Sequence, residues 1–130
     1  GIKSIADVDR EGVRVAVSAR SAYDLYLTRS LKHAKLERVE GLDASYDLFI
    51  NNKLEALAGL KPRLTTDAAK LPGSRILDGQ VTGVQQAAGT KKTRAAGAKY
   101  LADFIEDVKR SGFVGNTIDK HGVKGVSVAP

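Results

Sequence analysis

Three features of the sequence predict an α/β fold, a small three-layer α/β/α domain on a parallel sheet followed by C-terminal helices. A β-rich run, Val13 to Val17, is followed at once by a cappable helix. The same strand, turn and helix order returns from Leu36 onward. A long amphipathic segment after Thr90 then has no strand to follow it. At 130 residues the chain has room for one domain, or for one domain with an appendage.

The opening Ser4 to Asp9 reads as a capped turn, and Val13-Arg14-Val15-Ala16-Val17 as a buried first strand bounded by Gly12. Ser21 meets the requirements of an N-cap, with Asp24 at the capping-box position. The helix it opens carries Tyr23, Leu27, Leu31 and Ala34 in one stripe. Leu36 to Glu40 alternates as a second strand, Gly41 turns the chain, and Asp43 is placed to cap a helix whose inner face is Tyr46, Phe49 and Ile50.

Leu54 to Leu60 is short, apolar and closed by Gly59 and Pro62, so it reads as a third strand. Thr65 or Thr66 caps a short helix stopped by Pro72-Gly73, Arg75 to Leu77 is a brief strand, and Gln80 to Ala88 an extended run. Thr90 is expected to cap a long helix with Ala98, Leu101, Ala102, Ile105 and Val108 on one face. Gly112 fits the residue after that helix, Val114 and Ile118 mark a shorter one ending near Gly122, and Val123 to Pro130 reads as an irregular or edge segment.

Alternating strands and helices imply parallel pairing, because right-handed crossovers lay each helix back over the sheet. Ligands of such sheets bind at the carboxyl ends of the strands. That directs attention to residues 18–23, 41–45 and 59–65.

Composition excludes several classes of function. Without cysteine there is no disulfide framework, thiolate nucleophile or Cys-ligated metal. The longest apolar stretches are a few residues, far below the roughly 20 that cross a bilayer, and the first residues lack the apolar core of a signal peptide. The net charge of +6 is concentrated at the ends: residues 1–35 hold 7 basic and 4 acidic side chains, residues 88–130 hold 8 and 4, and the middle 6 and 7. Basic residues interspersed with acids describe solvated helix faces better than a nucleic-acid footprint, and 5% aromatics without Trp make a base-stacking surface a poor reading. His33 and His121 lack a further ligand at metal spacing, and no catalytic or phosphate-loop motif is present.

Several phrases then fall into a familiar order. Gly12-Val13-Arg14-Val15-Ala16-Val17, Ser21-Ala22-Tyr23-Asp24-Leu25-Tyr26-Leu27, Leu54-Glu55-Ala56 and Lys109-Arg110-Ser111-Gly112-Phe113 resemble the latter part of bacterial extracellular solute-binding proteins of the amino-acid (family 3) type, periplasmic components of ABC importers. The resemblance covers essentially the whole chain. It implies a type II periplasmic-binding-protein-like fold, in which two lobes joined by crossing strands clamp a ligand. Residues 1–80 would be the second lobe, residues 81–88 a returning hinge strand, and residues 89–130 helices that pack on a first lobe not contained in the chain.

The function so implied is non-enzymatic capture of a small polar or anionic solute, without cofactor or metal, for delivery to an ABC permease in the membrane. The companion lobe is a necessary partner, a domain-swapped homo-oligomer is a further expectation, and nucleic acid is not a partner. A basic regulatory or nucleic-acid-binding domain, or an enzyme such as a dehydratase on the same scaffold, are the competing readings.

The resemblance also proposes ligand-binding residues. The family's Gly-Thr/Ser-Thr turn after the first strand of this lobe aligns with Arg20, Ser21 and Ala22, so Ser21 matches while Arg20 and Ala22 depart. Amides at a helix start favour an anion, and Arg20 adds a fork for a carboxylate. Tyr23 lies one step further, facing either cleft or core. The family's ammonium-binding Asp after the third strand has no match in Gly59-Leu60-Lys61-Pro62-Arg63, and the cations Lys61 and Arg63 point to a carboxylate or another small anion. Gln85 and Gln86 are candidates for the hinge cleft.

Overall fold

The computed structural model describes residues 1–130, which form two compact units, Gly1–Val84 and Gln85–Pro130. The first is a mixed α/β unit. After a single 3-10 turn at Ala6–Val8 come strand β1 (Arg14–Ser18), helix α1 (Ala22–Ser30), strand β2 (Lys35–Val39), helix α2 (Leu42–Asn51), strand β3 (Ala56–Leu57) and helix α3 (Lys61–Lys70).

The three strands form a parallel sheet in the order β2-β1-β3. Arg14 to Ser18 stand level with Lys35 to Val39, while Val15 and Ala16 stand level with Ala56 and Leu57. β1 is central, and Val15, Ala16 and Val17 are at most 2% exposed, as the unbroken apolar run requires. Val8, Val13, Tyr23, Leu27 and Leu54 complete the buried apolar set. Val13 and Val15 join Val8 in a cluster against which Ile2, Leu36 and Leu77 pack.

The chain moves one way from β1 to β2 and the other way from β2 to β3. Right-handed crossovers therefore carry α1 and α2 to opposite faces of the sheet. α2 packs on all three strands. Beyond each strand the ladder continues by one bond, from the Ala19 amide to the Val39 carbonyl at 2.8 Å and from the Ala58 amide to the Ala16 carbonyl at 3.0 Å.

Several local expectations are corrected. The third strand is two residues long rather than seven, because only Ala56 and Leu57 lie level with β1 before the chain turns into α3. α3 begins at Lys61, with Pro62 in its first turn. Thr65 and Thr66 therefore sit inside the helix and donate back to the carbonyls of Lys61 and Pro62 instead of capping it. Asp43 does not cap α2; Gly41 takes that position at φ +97° and Asp43 faces solvent from the first turn. Arg75–Leu77 and residues 81–88 form no strand.

The second unit contains helix α4 (Ala95–Arg110) and helix α5 (Phe113–Lys120). Thr90 lies ahead of the helix, which starts after Arg94 without a side-chain cap. Gly112 takes the left-handed conformation between the helices at φ +78°, which a side chain would strain. Leu101, Ile105, Val108, Val114 and Ile118 are half-buried, but neither helix holds a fully buried residue. Tyr100, 73% exposed, stacks on Phe104 with ring centroids 6.4 Å apart. Phe113 is 62% exposed. No helix is long and apolar enough to cross a membrane.

Candidate functional site

Parallel order β2-β1-β3 places the reversal of strand order between β1 and β3, and the loops leaving their carboxyl ends diverge there. Ala19 to Ser21 leave β1, and Ala58 to Leu60 leave β3 for α3. Glu40 and Gly41, leaving β2, form the neighbouring rim.

At the β1 turn Arg20 has φ +63°, in the region where a glycine is at ease and another residue costs about 1 kcal/mol or more. The turn is held by Asp24, whose carboxylate accepts the Arg20 amide at 2.8 Å. Ser21 is the N-cap, its hydroxyl accepting the Asp24 amide at 3.1 Å. The capping pattern is thus shifted by one residue from the reciprocal box, since Asp24 reaches the residue before the cap. The Ser21 amide bonds the Ser18 carbonyl at 3.3 Å, and the amides of Ala22 and Tyr23 meet no acceptor in the chain.

Asp24 is buried and ionised. Burial opposes its charge, but the Arg20 amide, the Arg38 guanidinium and the Thr28 hydroxyl together hold its pKa below the usual carboxylate value. Arg38 donates from Nε to Asp24 at 2.9 Å and from its other arm to Thr28 at 2.8 Å, which joins β2 to α1. The negative charge beneath the turn is therefore compensated locally.

The Arg20 side chain pairs with Glu40 between the ends of β1 and β2, and the two are 80% and 78% exposed. Tyr23 belongs to the core rather than to the cleft surface: it is 5% exposed, and its buried hydroxyl has no hydrogen-bond partner. Ala22 is exposed at the start of α1.

Lys61 and Arg63, expected in a loop, stand in the first turn of α3. Lys61 is exposed and makes no ion pair. Arg63 bonds Asp43 at 2.8 Å and Asp67 at 2.8 Å, and these two carboxylates, Asp43 foremost, raise its pKa. Asp67 is 5% exposed, so Arg63 is held as the counter-ion of a buried charge.

Gly59 admits α3 close to β3, since a Cβ there would come within 3.2 Å of Leu64 Cδ2. The cavity beneath, lined by Ser45, Leu57, Gly59, Arg63 and Asp67 among others, has a volume of about 10 Å³. That is the space of a single water, too small for a solute.

A second depression of about 300 Å³ lies at the α1–β2 edge, lined by Leu27, Leu31, Leu36 and Arg38 among others, away from the candidate residues. Gln85 and Gln86 are exposed and lie in no strand. His33 and His121 fall in different units, and no three His, Asp or Glu side chains are grouped to hold a metal ion.

Arg20, Ser21 and Ala22 follow β1 while Lys61 and Arg63 follow β3, so the two groups share the carboxyl end of the sheet without a hydrogen bond or ion pair between them, and Tyr23 is withdrawn into the core. Sequence reasoning missed Arg38, Glu40, Asp43 and Asp67, which decide the charge state of that end. The four-residue spacing of Arg63 and Asp67 carried a signal, usable once residues 61–70 are recognised as helical. The pairs Arg20–Glu40 and Arg38–Asp24 depend on strand register and had none. No family model, curated protein or solved structure matches the chain.

Proposed function

We propose that the first unit is one jaw of a two-lobed solute-binding protein, which takes a small polar solute bearing a carboxylate or similar anionic group and delivers it to an ABC permease outside the cytoplasmic membrane. The observation that carries this reading is the turn leaving β1 beside the reversal of the β2-β1-β3 order, where the amides of Ala22 and Tyr23 meet no acceptor in the chain and follow directly on a cation, Arg20. Backbone amides at a helix start receive an anion without reorganisation, and the helix dipole adds about 0.3–1 kcal/mol. The phrases resembling family 3 solute-binding proteins point the same way.

Closure of a second lobe over the crevice would complete the site, with binding energy selecting the closed form and no covalent step. The exposed aromatic side chains of α4 and α5, Tyr100, Phe104 and Phe113, are consistent with a further surface to be covered, as the companion lobe would do. One jaw supplies half of the contacts, so affinity of these 130 residues alone is expected in the millimolar range or weaker, about −4 kcal/mol.

Titration of the ¹⁵N-labelled chain with succinate, L-glutamate and phosphate tests the reading. Shifts confined to the amides of residues 19–23 and 58–61 are expected. The absence of any shift there with all three probes overturns it, and calorimetric binding below 1 μM, by the roughly −8 kcal/mol it represents, contradicts the half-cleft.

A further inference from the structure

Arg20 and Glu40 meet because strand register brings their two turns side by side. Ser18 and Val39 end their strands level with one another, and the Ala19 amide bonds the Val39 carbonyl, so the residues just beyond project from adjacent turns. The other arginines of this end are bound at several points. Arg63 is shared between Asp43 and the buried Asp67, and Arg38 between Asp24 and Thr28. Arg20 has one side-chain partner, Glu40, and Glu40 has no other. Both are about four-fifths exposed.

The backbone of Arg20, in contrast, is fixed, because Asp24 holds its amide and its φ is set in the left-handed region. A rooted side chain with a loosely paired tip is what an exchangeable ligand contact requires.

We infer that Glu40 is a resident counter-carboxylate, displaced from Arg20 by the carboxylate of an incoming solute, so that residue 40 sets how strongly the crevice discriminates for anions. An exposed ion pair in water contributes little net free energy, so exchanging one carboxylate for another on the same guanidinium meets little resistance. The planar fork of Arg20 can hold the solute in two parallel hydrogen bonds, which a lysine cannot reproduce. Glu40 acts as a built-in competitor: it leaves neutral solutes unaffected and weakens every anionic one. The inference rests on the binding reading above and adds a specificity-determining residue to it.

The test is a succinate titration of the full chain and its Glu40→Gln, Arg20→Gln and Arg20→Lys variants at low and high ionic strength. The amides of Ala22 and Tyr23 and the Arg20 side-chain Nε–H signal serve as readouts, with succinamide as the uncharged control. Glu40→Gln is expected to tighten succinate by about 1.5- to 5-fold at low salt, the range an exposed charge contact spans, with succinamide unchanged. Arg20→Gln is expected to loosen succinate by at least as much, and Arg20→Lys to restore only part of the loss. An unchanged succinate affinity in Glu40→Gln, with wild type binding normally, overturns the inference and leaves the binding reading standing. Failure of wild type and all variants to respond overturns both. Equal tightening of succinamide also overturns it, since that is a change of shape and not of charge competition.

Discussion

The guanidinium of Arg38 donates from Nε to Oδ1 of Asp24 at 2.9 Å, across 14 residues of sequence, and by that contact β2 fixes the first turn of α1. Asp24 in turn holds the amide of Arg20, so a side chain near the end of one strand governs the shape of the turn that follows its neighbour. Replacing Arg38 with Met leaves a buried carboxylate short of its counter-charge. Since Arg38 is itself 42% exposed and water reaches the pair, a loss of about 1–2 kcal/mol is expected in urea unfolding. Asp24→Asn in the Arg38→Met background should recover part of it; a double variant no more stable than Arg38→Met alone contradicts the account.

Glu55 gives the unit an acid-sensitive clasp. Its carboxylate takes the Arg14 side chain at 2.8 Å and the Arg14 amide at 2.8 Å, and the hydrogen bond from the Arg14 side chain, the largest influence, lowers its pKa to about 2. A depressed carboxylate contributes stability that is fully present above its unfolded value, near 4.5, and is lost as pH falls toward about 2. With the side chain 36% exposed, screening reduces that contribution to about 1 kcal/mol. Glu55→Gln should be less stable than wild type at pH 7 and equal to it at pH 2; a constant difference across that window contradicts the prediction.

Asp9 closes the α1–β2 loop by accepting the amides of Lys32, His33 and Ala34 at 2.7 to 3.0 Å. Those bonds, the His33 amide first, hold its pKa below the ordinary value. Asp9→Ala should lower the melting temperature and raise hydrogen exchange at residues 32–34 more than elsewhere. Uniform acceleration across the unit would mean that the loop does not open on its own.

Arg20 occupies a left-handed position without being glycine. Arg20→Gly is expected to fold with stability equal to wild type or slightly greater, because relief of strain offsets a weak exposed pair and the greater freedom of glycine when unfolded. Arg20→Val, stiff and β-branched, should lose about 1–2 kcal/mol in the same chemical denaturation.

Ser21→Ala removes the acceptor of the Asp24 amide and should cost about 1 kcal/mol, read by thermal melting. Ser21→Asp should fold nearly as well as wild type, since aspartate also caps.

Much of the fold was legible because local rules decide it. The β-rich run at Val13 to Val17 reads as a buried strand, Ser21 as the cap of the helix that follows it, and Gly112 as the left-handed step between α4 and α5. The third strand was harder. Leu54 to Leu60 has the composition of a longer one, but pairing with β1 stops at Leu57, and the chain turns through Gly59 into α3 at Lys61. Thr65, Thr66 and Thr90 failed as caps because a hydroxyl marks a helix start only if the backbone turns there, and α3 begins at Lys61 while α4 begins beyond Arg94.

The sequence by itself determined the parallel α/β character, the buried first strand, the cap on α1 and the amphipathic faces of α4 and α5, because each follows from residue types and periodicity over neighbours in the chain. Only tertiary structure decided which charges are spoken for. Strand register put Arg20 against Glu40, burial of Asp67 claimed Arg63, and Asp24 drew Arg38 from the next strand. Ion pairing depends on distances of a few ångströms between groups far apart in sequence, and no local pattern encodes those.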